Sequence, residues 1–343
     1  MNKTYYMGRA ELGDVLAERS RSSGGSLLSP CGGAWEQVRD PDRAVASLSG
    51  PRGPASPKGF LLPPAESLGQ YGAAAEAATA TAAAVELVGV RACELRAREY
   101  MDRVFEGGDF IDPRYVRRRE AAVVVSCDCV DCAASCFCTL VGGEPFAREG
   151  FDVNLTPVSD GFVAEVATEQ GKAWLGRAAT SEAAPSQLAE RDRLRREMAD
   201  RLTGQNAAVV LDASAAAEAL PDDADPAWQR FAGDCVECGA CTNICPTCHC
   251  FYLYDQLLGP SQFERVRTWD SCLLSTYHRM AGTAGTKLTP RPRLSSRLAN
   301  RVLHKFSYSP RQYGLVGCVG CGRCVDACIG AIDIREVVKE LGQ

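Results

Sequence analysis

Two cysteine runs constrain this chain more than any other feature of its sequence. The first run is Cys235-x2-Cys238-x2-Cys241-x3-Cys245-Pro246, and the second run is Cys318-x2-Cys321-x2-Cys324-x3-Cys328. Three thiolates with this spacing can wrap one corner of a [4Fe–4S] cubane, while the fourth thiolate ligates a neighbouring cubane. The spacing therefore predicts a pair of clusters with crossed ligands.

The crossed arrangement divides these cysteines into two ligand sets. The first set is Cys235, Cys238, Cys241 and Cys328, and the second set is Cys318, Cys321, Cys324 and Cys245. Gly239, Gly320 and Gly322 suit tight loops around the clusters, because glycine readily adopts positive φ. Ile329 stands in the second run where the first run has Pro246, and this difference leaves the ligands unchanged.

Zinc is the alternative metal for thiolate-rich sequences. Structural zinc sites use paired C-x2-C knuckles separated by a spacer. Each run here holds too many thiolates too close together for one tetrahedral zinc ion. We therefore expect iron–sulfur clusters, and a zinc-stabilised assembly scaffold is the competing interpretation.

Composition limits the class of protein. A length of 343 residues allows two domains, and a net charge of −5 gives no reason to expect nucleic acid as a partner. The 18 cysteines are clustered at metal spacings rather than scattered as in a disulfide framework. We find no apolar stretch of signal-peptide type and no run that could span a membrane. The sequence predicts a cytoplasmic protein.

The chain is expected to have an α+β fold with an N-terminal α/β domain followed by an α-helical ferredoxin-type dicluster domain. The predicted boundaries are a loop-rich segment at 1–57, the α/β domain at 58–185, a helical linker at 186–227 and the dicluster domain at 228–343. Strands are predicted at 85–90, 121–126 and 161–166, and helices at 93–103 and 186–203. Residues 246–317, between the two runs, have a mostly helical pattern.

A further group of cysteines lies in the predicted α/β domain. It consists of Cys127, Cys129, Cys132, Cys136 and Cys138, with Cys93 upstream. The group follows a predicted strand, and α/β domains place their sites at strand ends. Two interpretations stay open from spacing alone, a third metal cluster or a set of inert or redox-active thiols.

Three surplus cysteines, Cys248, Cys250 and Cys272, follow the first run. They could serve a further metal site, but small buried residues beside the clusters are the favoured interpretation. A basic stripe, Arg293, Arg297, Arg301 and Lys305, recurs at intervals of four residues. It could be a solvated face, a docking surface for a partner, or a compensation for the negative charge of the clusters. No dinucleotide fingerprint is present, so we expect no catalytic residues in this chain.

Several motifs together resemble a known family. They are GFLLPPAESL (59–68), GVRACELRA (89–97), RVFEGGDFIDPRY (103–115), SCFCT (135–139), GFDVNLT (150–156), CVECGACTNICPTCHCF (235–251), RVRTWDSC (265–272), HKF (304–306) and GCVGCGRCVDACIGAIDI (317–334). The chain resembles the iron–sulfur beta subunit of cytoplasmic sulfhydrogenases, and it is similar to the A subunit of anaerobic sulfite reductase.

This resemblance implies a ligand set, partners and a function. The family pattern corresponds here to Cys93, Cys129, Cys136 and Cys138, the N-terminal set, which would hold a third [4Fe–4S] cluster. Cys127 and Cys132 are extra to that pattern, so the choice among Cys127, Cys129 and Cys132 stays open. The implied partners are an FAD-containing subunit that oxidises NAD(P)H and a catalytic subunit that handles hydrogen, sulfur or sulfite. The expected function is electron transfer between them, and the alternative is a stand-alone thiol/disulfide-type reductase that uses the surplus cysteines.

Overall fold

The structure of the chain is a computed structural model. It describes residues 3–24, 26–31, 33–72, 84–176, 181–209, 211, 213, 215–277, 279 and 289–342. The chain contains both helices and strands, and it divides into two compact units. Unit 1 consists of residues 1–57, 83–210 and 318–323, and unit 2 consists of residues 58–82, 211–317 and 324–343. None of the described helices is long and apolar enough to cross a membrane.

The strands, in chain order, are β1 (Lys3–Gly8), β2 (Leu27–Cys31), β3 (Ala34–Gln37), β4 (Ala65–Gly72), β5 (Glu86–Val90), β6 (Val123–Cys127), β7 (Val153–Val158), β8 (Gly161–Val166), β9 (Phe251–Gly259) and β10 (Gln262–Trp269).

The helices are α1 (Arg9–Ser22), α2 (Pro41–Ser47), α3 (Lys58–Leu61), α4 (Ala92–Phe105), α5 (Pro113–Ala121), α6 (Glu169–Leu175), α7 (Pro185–Gln205), α8 (Ala216–Ala219), α9 (Trp228–Ala232), α10 (Ala240–Asn243), α11 (Leu294–Leu303), α12 (Ser309–Tyr313), α13 (Arg323–Asp326) and α14 (Ile334–Leu341). A 3₁₀ helix spans Cys138–Val141, and a π-helix spans His304–Tyr308.

Unit 1 is built on a seven-stranded sheet with the order β1-β8-β7-β6-β5-β2-β3. The four strands β2, β5, β6 and β7 are parallel, while β3, β8 and β1 pair antiparallel at the two sides. The sequences of β5 and β6 are almost wholly apolar and every residue in them is buried, as expected for central parallel strands that are covered on both faces. The carboxyl ends of β5 and β6 therefore meet at one edge of the sheet.

Helix α7 belongs to unit 1 and is not a linker. Its Arg195 Nε donates to Asp128 Oδ2 at 2.7 Å, directly after β6, and the same guanidinium pairs with Glu165 on β8. Asp128 is buried and also accepts from Thr156 Oγ1 at 2.6 Å and Asn154 Nδ2 at 3.0 Å. Burial raises the pKa of Asp128, and the charge of Arg195 opposes that rise. This network holds the helix on the sheet.

The prediction of a loop-rich segment at 1–57 is wrong. Residues of this segment form β1, α1, β2, β3 and α2, and β2 joins the central sheet. Strand β2 reads LLSPC and contains a proline, so its β character depends on pairing with β5 rather than on local preference. The predicted strands at 85–90, 121–126 and 161–166 correspond to β5, β6 and β8, and β7 was not predicted.

Unit 2 contains a three-stranded antiparallel sheet of order β4-β10-β9 and several short helices. The helical expectation for 246–317 is wrong at 251–269, where β9 and β10 form a hairpin. It is right for α11, whose Leu298 and Val302 lie four residues apart and are both buried. The two strands read FYLYDQLLG and QFERVRTW, which mix strand-forming aromatic and β-branched residues with charged ones and show no regular alternation.

Candidate metal centres

The first set comes together inside unit 2. Cys235, Cys238, Cys241 and Cys328 line one cavity, together with Cys324. Burial raises the pKa of Cys235, and the neighbouring sulfurs of Cys241, Cys328 and Cys238 raise it further. Cys328 lies far from Cys235 in sequence, so its presence in this cavity is the arrangement that crossed ligation requires.

The loop of the first run turns sharply at two residues with positive φ. Glu237 has a φ of 55° and Gly239 a φ of 70°, and α10 begins directly after this glycine. Thr242 Oγ1 on α10 donates to Gly239 O and shares a hydrogen bond with Ser271 Oγ, both at 2.7 Å. The loop is thus held against the segment that follows β10, while Cys238 stays exposed to solvent.

A buried arginine tests whether this cavity suits an anionic cluster. Arg301 on α11 lines the cavity and is 5% exposed. Its Nε and Nη2 atoms are buried and have no hydrogen-bond partner within the part of the chain that the structure describes. Burial disfavours its charge, but the sulfurs of Cys241 and Cys324 raise its pKa well above the ordinary value. A buried cation needs a counter-charge, and a cubane with four thiolates is an anion, so the residues present fit the group.

The second set is distributed over both units. Cys318 and Cys321 belong to unit 1, and Cys245 and Cys324 belong to unit 2. Within unit 2, Lys305 Nζ donates to Cys245 Sγ at 3.3 Å, and it also donates to Thr247 Oγ1 at 2.8 Å and Gly317 O at 3.0 Å. The buried sulfur of Cys245 therefore has a cation against it, and the second set as a whole stays a prediction.

The N-terminal set comes together inside unit 1. Cys93, Cys129, Cys136 and Cys138 line one cavity, with Cys132 and Cys321 also in its wall. Burial raises the pKa of both Cys129 and Cys138 to about 12, so these thiols would stay protonated without a metal. A metal reverses this preference, because thiolates are the form that binds it.

The sheet explains why these distant cysteines meet. Cys93 lies in the first turn of α4, just after β5, and Cys129 follows β6, its parallel neighbour. Of the two cysteines extra to the family pattern, Cys127 is buried in β6 and donates to Leu48 O at 3.4 Å. Cys132 lies in the cavity wall and donates to Gln205 Oε1 at 3.4 Å. The geometry therefore favours Cys129 or Cys132 over Cys127.

Glycines of the second run allow it to pack against the N-terminal cysteines. A Cβ on Gly320 would lie 2.5 Å from Cys138 Cα, and one on Gly322 would lie 2.1 Å from Ser135 O. Phe137 N donates to Gly320 O at 2.8 Å. Any larger side chain would push these backbones apart, so this is where glycine is required.

A buried ion pair supports the same region, and the sequence analysis missed it. Arg323 Nη2 donates to Glu94 Oε1 at 2.5 Å, and both side chains are almost fully buried. Arg91 is also buried and donates to Asp128 O, Gly50 O and Leu48 O at 2.9–3.0 Å. Arg91 and Glu94 belong to the motif GVRACELRA, so this motif was the sequence signal from which these buried charges could have been predicted.

A single-ion site is not seen in the described residues. No group of three or more His, Cys, Asp or Glu there has an arrangement suited to one metal ion. In a cubane each thiolate binds a different iron, so its ligands need not converge on one point.

Two comparisons with known proteins bear on these cavities. A family model described as a 4Fe-4S dicluster domain matches residues 234–332. The chain is also 28% identical over 261 residues to the sulfhydrogenase 2 subunit beta of Pyrococcus furiosus, across 74% of this chain and 73% of that protein. The resemblance to the iron–sulfur beta-subunit family is confirmed.

The dicluster match contains every cysteine of the first and second sets. A 4Fe-4S dicluster domain at these residues supports iron–sulfur clusters in this chain. The number of clusters is a separate question, since the N-terminal set lies outside residues 234–332.

The basic stripe of this chain is not a docking surface. Arg297, Arg301 and Lys305 are 3–5% exposed, and only Arg293 of the four is exposed. Arg297 pairs with Glu237 and its Nε donates to Leu273 O at 2.9 Å. The spacing of four residues places these cations on a face of α11 and its continuation that lies beside cysteines. Of the three interpretations of the stripe, charge compensation fits the structure.

Proposed function

We propose that this chain relays electrons within a soluble multi-subunit oxidoreductase. One partner would be a flavoprotein that uses FAD to oxidise NAD(P)H, and the other a subunit that reduces protons, sulfur or sulfite. The relative in Pyrococcus furiosus is named as a subunit of a sulfhydrogenase, which supports this class of assembly. The observation that carries the proposal is the cavity of the first set, where four cysteines line the same space as the buried Arg301, whose Nε and Nη2 have no hydrogen-bond partner among the described residues.

The proposal includes three [4Fe–4S] clusters, held by the first, second and N-terminal sets. When bound, each cluster would accept and release one electron at a time. The protein contributes the thiolates, keeps water from most of the cluster surface, and places Arg301 and Lys305 where a reduced, more negative cluster is stabilised.

Electrons would enter or leave the first-set cluster at a small exposed apolar patch. Cys238 is exposed, and the same cavity is lined by Val236 and Ile329, which are 59% and 76% exposed. Exposed apolar residues around a redox centre suit a partner surface that excludes water on docking. We propose this patch as the docking surface in place of the basic stripe.

Metal analysis of the full chain, purified without oxygen, tests the proposal. We expect about eight irons from the dicluster domain and about twelve with the N-terminal cluster, with matching acid-labile sulfide. Zinc without iron would support the scaffold interpretation instead. The isolated chain should accept electrons from a strong chemical reductant and should not oxidise NAD(P)H, so turnover of NAD(P)H by the chain alone would contradict the subunit role.

A further inference from the structure

Two of the surplus cysteines lie side by side at the base of the hairpin in unit 2. Cys250 directly precedes β9, and Cys272 follows β10 by three residues. The pairing of these strands ends at Phe251 and Trp269, and Asp270 N then donates to Cys250 O at 2.9 Å. The hairpin thereby brings together two thiols that neither predicted ligand set of the dicluster uses.

The two thiols differ in exposure and in protonation. Cys272 is 7% exposed and donates a hydrogen bond to the sulfur of the partly exposed Cys250. This bond, with a second one from the Tyr277 hydroxyl, lowers the pKa of Cys250 to about 6. The same contact and burial raise the pKa of Cys272 well above its ordinary value. The pair therefore combines a reachable thiolate with a buried thiol that retains its proton.

The third surplus cysteine has other contacts. Cys248 donates to the sulfur of Cys245, a member of the second set. Its backbone carbonyl accepts from Lys58 Nζ at 2.9 Å, and that ammonium also lies 4.0 Å from the centre of the Trp269 ring. Cys248 is thus tied to the predicted cluster ligand, which leaves Cys250 and Cys272 as the independent pair.

We propose that Cys250 and Cys272 form a dithiol–disulfide couple that reduces small organic disulfides. The Cys250 thiolate attacks one sulfur of the substrate R–S–S–R, which forms a mixed disulfide and releases RS⁻. Cys272 then loses its proton to that thiolate or to solvent and attacks Cys250 Sγ. This attack releases the second RS⁻. The two leaving thiolates take up the proton of Cys272 and one proton from solvent, so the products are the Cys250–Cys272 disulfide and two equivalents of RSH. Return to the dithiol consumes two electrons and two protons, and in this respect the cycle rests on the proposed electron-transfer function.

Exchange with oxidised glutathione on the full, anaerobically purified chain tests the couple without any partner subunit. We expect two glutathione thiols to be released per chain, and peptide mapping after acid quenching and alkylation to find a Cys250–Cys272 disulfide. Cys272→Ser should stop at a mixed disulfide between Cys250 and glutathione, because the resolving thiol is missing. Cys250→Ser should release no thiol from this site. The control is Cys31→Ser, which alters a buried cysteine of β2 in unit 1 and should react as the unmodified chain does.

The iron content of each variant separates this inference from the proposed function. If the unmodified chain binds no iron, the electron-transfer proposal fails, while the exchange with glutathione still reports on the couple. If Cys250→Ser loses iron, Cys250 is a cluster ligand and the couple is overturned. A fully loaded chain whose Cys250 does not react with oxidised glutathione also overturns it.

Discussion

Replacing Lys305 by Met should lower the reduction potential of the cluster that we propose Cys245 ligates. Lys305 is 3% exposed, and its Nζ lies 3.3 Å from Cys245 Sγ. Methionine keeps most of the buried volume of the side chain and removes its positive charge. Because reduction makes a cluster more negative, a neighbouring cation stabilises the reduced form, and its loss favours the oxidised form.

The size of the shift follows from this distance. Two unit charges 3.3 Å apart interact by about 5 kcal/mol at an effective dielectric constant of about 20. The added electron is spread over the cluster, about twice as far away on average, which reduces the interaction to roughly 2.5 kcal/mol. For one electron, about 1.4 kcal/mol corresponds to about 59 mV, so the expected shift is roughly 100 mV to lower potential.

Potentiometric titration followed by electron paramagnetic resonance measures this shift cluster by cluster. Lys305→Arg keeps the charge and should change the potential far less. Lys339→Met removes a lysine of α14 that pairs with Glu336 at 3.3 Å, and it should leave the potential unchanged. A chain with full iron content whose potential stays the same, or rises, would refute the electrostatic role of Lys305.

Three further variants test the ligand sets and the docking patch. Cys241→Ser should remove about four irons and destabilise unit 2, because metal binding contributes folding free energy; an unchanged iron content would exclude Cys241 as a ligand. Changing all four cysteines of the N-terminal set to Ser should remove about four irons and leave the spectrum of the dicluster domain, whereas retention of all iron would exclude the third cluster. Ile329→Asp should slow electron transfer to the partner subunit, while Phe110→Asp, at an apolar residue of unit 1 that is 89% exposed, should not; equal rates would exclude the patch.

Local sequence patterns predicted several elements well. The apolar run at 86–90 and the charged helix at 185–205 were recognisable, because a buried parallel strand and a long helix each have a distinct pattern. Strand β2 and the hairpin of β9 and β10 were missed. Their residues have weak or mixed local preferences, and pairing with strands distant in sequence decides their conformation.

In the candidate sites, too, some features follow from the local sequence and others depend on contacts between distant segments. The basic stripe has the spacing of a solvated helix face, but Arg297, Arg301 and Lys305 are buried, and only Arg293 of its four residues is exposed. The local sequence pattern does not predict this burial, because burial depends on which segments pack against the helix. The pairing of Cys250 with Cys272 likewise depends on the hairpin that brings them together.

The spacing of the cysteines by itself determined that this chain carries an iron–sulfur dicluster domain. The covalent chain decides which three thiolates of a run can wrap one corner of a cubane, so this information is local. Only the tertiary structure brings Cys93 and Cys129 into one cavity and buries Arg297, Arg301 and Lys305 of the basic stripe. It also leaves Nε and Nη2 of the buried Arg301 without a hydrogen-bond partner among the residues that the structure describes. These features depend on contacts between segments distant in sequence, and they form only when packing excludes water from the cavities.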